Sequence, residues 1–97
     1  MSAADIKKIH AVFTRHPDVE KAILYGSRAK GTHRPGSDID ITLAGNISWD
    51  ELQAITLELD DLMLPYQFDL SVHAMIDNPN LLDHIKRVGK TFYAREE

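Results

Sequence analysis

Two stretches of strict two-residue alternation constrain this chain more than any other feature. In Asp38-Ile39-Asp40-Ile41-Thr42-Leu43 every second side chain is apolar, and Tyr66-Gln67-Phe68-Asp69-Leu70-Ser71-Val72 repeats the pattern. An extended strand turns successive side chains to opposite faces, so each stretch is expected to form a strand with one oily and one polar face. Ile39, Ile41 and Leu43 then share a buried face, as do Tyr66, Phe68, Leu70 and Val72. Asp38, Asp40 and Asp69 fall on the polar faces. The segment between the two strands supplies a covering layer. Ser48 and Glu51 form a capping box, and Leu52, Ile55, Leu59 and Leu62 trace a helical stripe that ends near Pro65.

The rest of the chain follows the same grammar. Ser2 with Asp5 opens a helix whose apolar positions are Ile6, Ile9, Val12 and Phe13, and Pro17 closes it. Val19 to Tyr25 reads as a strand. Gly26 to Ser37, with three glycines, one proline and two serines, reads as a loop carrying one helical turn after Ser27. A last helix is expected from about Asn80, with Leu81, Leu82, Ile85 and Val88 inward and Gly89 at the C′ position. Thr91-Phe92-Tyr93 adds a short edge strand. The order is α-β-α(turn)-β-α-β-α, which predicts an α/β (α+β) architecture, a small mixed β-sheet with helices packed on it.

The 97 residues, without repeat or low-complexity linker, are expected to form one domain over 1–97. A chain of this size buries roughly 60–70% of its unfolded surface, enough for a core but not for a core plus a deep two-lobed cleft. The absence of cysteine excludes a disulfide scaffold, a thiol nucleophile and a thiolate metal site. With no long apolar run and no hydrophobic leader at the N-terminus, a soluble cytoplasmic protein away from membranes is expected.

The formal charge of -4 conceals a segregation. Arg28, Lys30 and Arg34 stand in the loop without an acid among them. From Asp38 to Asp83 there are ten acids and no Lys or Arg. A basic loop entering an acidic stretch suits a small anionic ligand, whereas long nucleic acid calls for a broad basic face. Most of those acids read as a solvated surface.

Asp38 and Asp40 are two apart on one strand, so both project from the same face roughly 6–7 Å apart at the backbone and can converge on one ion. Asp69 joins them if its strand is a neighbour. Crowded carboxylates repel and raise one another's pKa values unless a divalent cation sits between them. Oxygen-only ligands select a hard ion, Mg²⁺ or Mn²⁺, and leave positions open for water and phosphate oxygens. The loop upstream, Gly26-Ser27-Arg28-Ala29-Lys30-Gly31, directly follows a strand. Gly26 permits a tight turn, Ser27 offers a hydroxyl and an N–H, and Arg28 and Lys30 add cations for an anion. It lacks the Gly-Lys-Ser/Thr ending of a Walker A loop.

Gly26-Ser27, then Asp38-Ile39-Asp40 on a strand, then Asp69 on a later strand together resemble the nucleotidyltransferase superfamily that includes DNA polymerase β. The closest resemblance is to its minimal members, antitoxins paired with HEPN-domain toxins, and it spans nearly the whole chain. It implies that Asp38, Asp40 and Asp69 are catalytic and bind two Mg²⁺ ions, with Asp69 helping to activate the acceptor hydroxyl. Gly26 and Ser27 would hold the phosphates of a nucleoside triphosphate, with Arg28 and Lys30 beside them. Where the family often has Arg, Lys30 supplies charge without a bidentate fork. The implied reaction moves AMP from ATP to a hydroxyl, a tyrosine of the HEPN toxin, so a hetero-oligomer is expected. A homo-oligomer, a non-catalytic antitoxin acting by occlusion, and a small-molecule transferase of the aminoglycoside type are the alternatives. Tyr25, just before the loop, reads as a core residue, with base stacking as the alternative. Trp49 reads as a packing residue beside a helix cap, with an exposed position marking a partner surface as the alternative. The five histidines, His10, His16, His33, His73 and His84, show no ligand spacing and read as surface or cap positions.

Overall fold

The computed structural model describes residues 2–25, 39–64 and 66–95. Along them run helix α1 (Ala3–Thr14), strands β1 (Lys21–Tyr25) and β2 (Ile39–Ala44), and helix α2 (Trp49–Asp60). Strand β3 (Phe68–Val72), a 3₁₀ turn (His73–Met75), helix α3 (Pro79–Val88) and strand β4 (Lys90–Ala94) follow.

The helices begin where polar side chains satisfy free backbone N–H groups. The Asp5 N–H donates to Ser2 Oγ at 3.1 Å and the Glu51 N–H to Ser48 Oγ at 3.1 Å, as the sequence predicts for α1 and α2. In α3 the cap is Asn78, whose side-chain oxygen accepts from Asn80 and Leu81 at 2.9 and 3.3 Å, with Pro79 in the first turn. Lys86 and Arg87 in its last turn complement the negative end of the helix dipole.

Gly89 departs from its expected role. It is the C-cap with φ -65°, so no left-handed conformation is required of it. Space is what requires glycine: a Cβ there would sit 2.4 Å from the Ile85 carbonyl oxygen and 2.8 Å from Ile23 Cγ2. Gly89 thus lets the end of α3 settle directly on β1.

The four strands form one mixed sheet in the order β3-β2-β1-β4. β2 pairs antiparallel with β1 and parallel with β3, and β4 pairs antiparallel with β1 across a bulge at Ala22/Ile23. The parallel β2–β3 pair needs a crossover, and α2 is that crossover. The β1 ladder starts at Lys21, two residues after the expected Val19, yet Val19 is fully buried in the approach to the strand. The β3 ladder likewise starts at Phe68 and not at Tyr66, whose hydroxyl instead donates to Asp5 Oδ2 at 3.0 Å and ties the approach to α1.

One face of the sheet is oily. Ile39, Ile41 and Leu43 have no exposed surface, and they pack with Ile9, Val12 and Phe13 of α1 and Leu52, Ile55 and Leu59 of α2. Burying side chains of this size contributes about 1.5–3 kcal/mol each. Trp49, expected to pack, is 63% exposed. At 100° per residue it lies about 120° around the helix from Ile55, off the buried stripe. The opposite face of the sheet carries the polar set and is covered in part by α3, which meets β1.

Candidate active site

The polar face of the sheet is ordered in rows by the register of its strands. Tyr25 on β1 pairs with Asp40 on β2, and Asp40 pairs with Asp69 on β3. Residues paired across a ladder point to the same face, and adjacent strands lie about 4.8 Å apart, so the two carboxylates stand side by side. The neighbour relation that the sequence left conditional is therefore met. Asp40 is half-buried and Asp69 exposed, which leaves one carboxylate anchored in the sheet and the other open to solvent.

The next row along the same face is Thr42 and Ser71, again ladder partners. Thr42 is fully buried, and both hydroxyl oxygens are buried without a formed hydrogen bond among the described residues. An unsatisfied buried hydroxyl costs about 1–3 kcal/mol, and such groups in a native fold call for an explanation beyond packing. Valine and alanine would fill the same volumes without that cost.

Tyr25 connects the two rows. Its pKa is raised by burial first, then by the negative charges of Asp40 and Asp69, while the Ser71 hydroxyl pulls the other way. The Ser71 oxygen does not complete a well-formed hydrogen bond, so the two hydroxyls approach each other without closing one. The Tyr25 ring also meets the His84 ring of α3 edge-on, centroids 6.4 Å apart at 81°. Sequence reasoning placed Tyr25 in the core and His84 at the surface. Neither pattern nor spacing signals their meeting, because it depends on how α3 is laid over β1.

Of the other residues expected to act here, Asp38, Gly26, Ser27, Arg28 and Lys30 lie outside the described residues, as do Arg34 and His33. Among the described residues no three His, Cys, Asp or Glu side chains gather on one point. The described part of the site supplies two carboxylates of the expected three. Two of the remaining described histidines have structural work: His10 Nε2 bonds the Phe92 carbonyl at 2.7 Å, and His16 lies between Glu51 and Glu58.

One hollow of about 530 Å³ lies between α1 and β4, lined by His10, Thr14, Tyr93 and Arg95 among others. Another of about 490 Å³ lies between α3 and β1, around Ile23, Leu82, Ile85 and Gly89. The described lining of neither includes Asp40 or Asp69. Side-by-side carboxylates over orphaned hydroxyls are the more specific feature.

A small mixed sheet under helices, with acids paired on adjacent strands, suits the nucleotidyltransferase class. The family model for Polymerase beta, Nucleotidyltransferase matches residues 7–97, and the chain belongs to that family. No curated protein matches the chain. Among solved structures, a toxin–antitoxin with AMP-PNP is 20% identical, with TM-score 0.76 over 94% of this chain and 74% of that one. A tri-AMPylated Shewanella oneidensis HEPN toxin in complex with MNT antitoxin is 17% identical, with TM-score 0.71 over 98% and 74%. The toxin–antitoxin MntA–HepT is 16% identical, with TM-score 0.71 over 97% and 74%. At such identities these likenesses establish the fold they share with this chain, which is the fold the sequence predicts.

Proposed function

We propose that this protein transfers AMP from ATP, with Mg²⁺, to a hydroxyl of a HEPN-type toxin, a tyrosine being the acceptor, and so acts as the toxin's antitoxin in the cytoplasm. The observation that carries this reading is the in-register pairing of Asp40 with Asp69 on adjacent strands. Membership in the nucleotidyltransferase family and the likeness to antitoxin complexes, one with AMP-PNP and one with a tri-AMPylated toxin, support it.

The donor set fits a hard divalent cation. Its described members are carboxylate oxygens, one half-buried and one solvent-facing. Asp40 and Asp69, together with Asp38, would hold the metal. Bound there, Mg²⁺ supplies charge neutralisation for the triphosphate and for the leaving pyrophosphate. Asp69, being exposed, is the carboxylate an incoming hydroxyl can reach, and it accepts the proton as that oxygen attacks the α-phosphorus. Gly26 and Ser27 cradle the phosphates, with Arg28 and Lys30 adding positive charge.

Incubation with labelled ATP, Mg²⁺ and the toxin, followed by intact-mass measurement of both chains, tests this. A toxin heavier by one or more adenylyl units is expected, with no gain for the Asp40→Asn variant. Full neutralisation of the toxin by Asp40→Asn, with no nucleotide on either chain, would replace catalysis by occlusion.

A further inference from the structure

We propose that Tyr25 is a positioning residue for the two carboxylates, its side chain forming a strut across the sheet on which Asp40 and Asp69 are held. The inference rests on the reading of the site as a nucleotidyltransferase centre and adds a residue to it.

The geometry follows from the strand order. Tyr25 is rooted on β1 and its hydroxyl lies against Ser71 on β3, with β2 between them. A side chain can make that reach only by lying across β2. The β2 residue on this face between the two rows' ends is Thr42, which has no exposed surface. From above, the edge-on contact with His84 of α3 holds the ring in place. Tyr25 is therefore fixed at three points: its own strand, the Ser71 side of β3, and α3. Phenylalanine would serve the ring contacts equally well. Only the hydroxyl gains from being placed near Asp40, Asp69 and Ser71. In the proposed strut the hydroxyl, close enough to feel the charge of both carboxylates, turns to donate toward one of them when the cation is bound and so fixes which oxygen faces it. Outer partners of this kind typically govern metal affinity by 10–100-fold.

The test is Tyr25→Phe in the full chain, read first by Mn²⁺ binding without nucleotide, followed by paramagnetic resonance of free Mn²⁺. The variant is expected to melt within a few degrees of the wild type and to bind Mn²⁺ about tenfold more weakly. In AMP transfer kcat should fall while the KM for ATP changes little. Ser71→Ala is expected to show the same Mn²⁺ defect, and the double variant no more than either single one, because in the strut Ser71 acts only through the Tyr25 hydroxyl that lies against it. Wild-type Mn²⁺ affinity in Tyr25→Phe, or defects in the two variants that multiply, would overturn the strut. Should Tyr25→Phe fail to fold, Ser71→Ala, which removes one oxygen, decides in the same way. A wild-type chain that binds no Mn²⁺ and transfers no nucleotide overturns the nucleotidyltransferase reading and the strut with it. Normal wild-type behaviour with a normal Tyr25→Phe removes the strut alone.

Discussion

Replacing Asp69 by Asn changes one charge and almost no volume, so its effects separate chemistry from fold. Asp69 is exposed and faces Asp40 directly across a parallel ladder. Like charges opposite each other in a sheet are destabilising, by amounts of the order of 0.2–1 kcal/mol. In the presence of a chelator, Asp69→Asn is therefore expected to melt at the same temperature as the wild type or slightly above it. With Mg²⁺ and ATP its transfer rate is expected to fall about 10²–10⁴-fold, the range for loss of a positioned general base. A higher melting temperature joined to lost activity is the signature of a repulsion kept for function. A clear loss of stability without metal would instead assign Asp69 a structural role. Thr42 offers the complementary test: Thr42→Val removes a buried hydroxyl that has no formed partner and keeps the shape, so a gain in melting temperature is expected.

At the scale of elements, the joint between α1 and α2 is electrostatic on one flank. His16, just past α1, has a ring nitrogen on Glu51 at 3.2 Å and the other on Glu58, while Arg15 Nε donates to Glu58 at 3.1 Å. The His16 hydrogen bond is the largest cause holding the Glu58 carboxyl below its usual value of 4.5, with Arg15 adding to it and burial opposing. A depressed carboxylate contributes stability above its unfolded pKa and loses it as pH falls through the folded one. The wild type should thus be more stable than Glu58→Gln at neutral pH, by up to about 1 kcal/mol for pairs that solvent still reaches. Chemical denaturation should show that gap closing as pH is lowered through and below 4.5. A gap that widens toward acid would reverse the assignment. Gly89→Ala should loosen a different joint, between α3 and β1, by about 1–3 kcal/mol, since the new methyl meets the Ile85 carbonyl and Ile23. Neither joint is legible in the sequence, and the reason is physical. Alternation in β2 and β3 encodes which face Asp40 and Asp69 occupy, and the caps at Ser2 and Ser48 encode where helices start, because these are local rules. The meetings of His16 with α2, of Gly89 with Ile23 and of Tyr25 with Ser71 join residues far apart in the chain. They depend on register and on how helices are laid down, which no short window contains. Trp49 was misleading for the same reason: its size suggests packing, but its angle around α2 faces outward.

The whole molecule divides its charge between a site that needs acids and a surface that carries them. Of the acids outside the carboxylate row, Glu51 and Glu58 are engaged with His16, and Asp83 pairs with Arg87 at 2.9 Å, so these do not contribute to a free acidic face. Asp50, Asp60 and Asp61 are exposed at α2. Taking Ile55 as the centre of the buried stripe, Trp49, Asp50, Leu57 and Asp60 all fall within about 120–220° around the helix, on its outer side. Trp49 and Leu57 are 63% and 64% exposed there. A large aromatic and a leucine ringed by acids have the make-up of an interface core with a charged rim. On the proposed function that surface suits a basic, RNA-handling partner. Charge complementarity of this kind acts mainly on the rate of encounter and is screened by salt. The triple variant Asp50→Lys, Asp60→Lys, Asp61→Lys is therefore expected to associate with the toxin at least tenfold more slowly at low salt. The difference from wild type should shrink as ionic strength rises. Trp49→Ala should instead speed dissociation at every salt concentration. Both variants keep Asp40 and Asp69, so Mn²⁺ binding should be unchanged, which separates a lost interface from a damaged site. Association rates equal to wild type at low salt would move the partner's footprint to another face of the molecule.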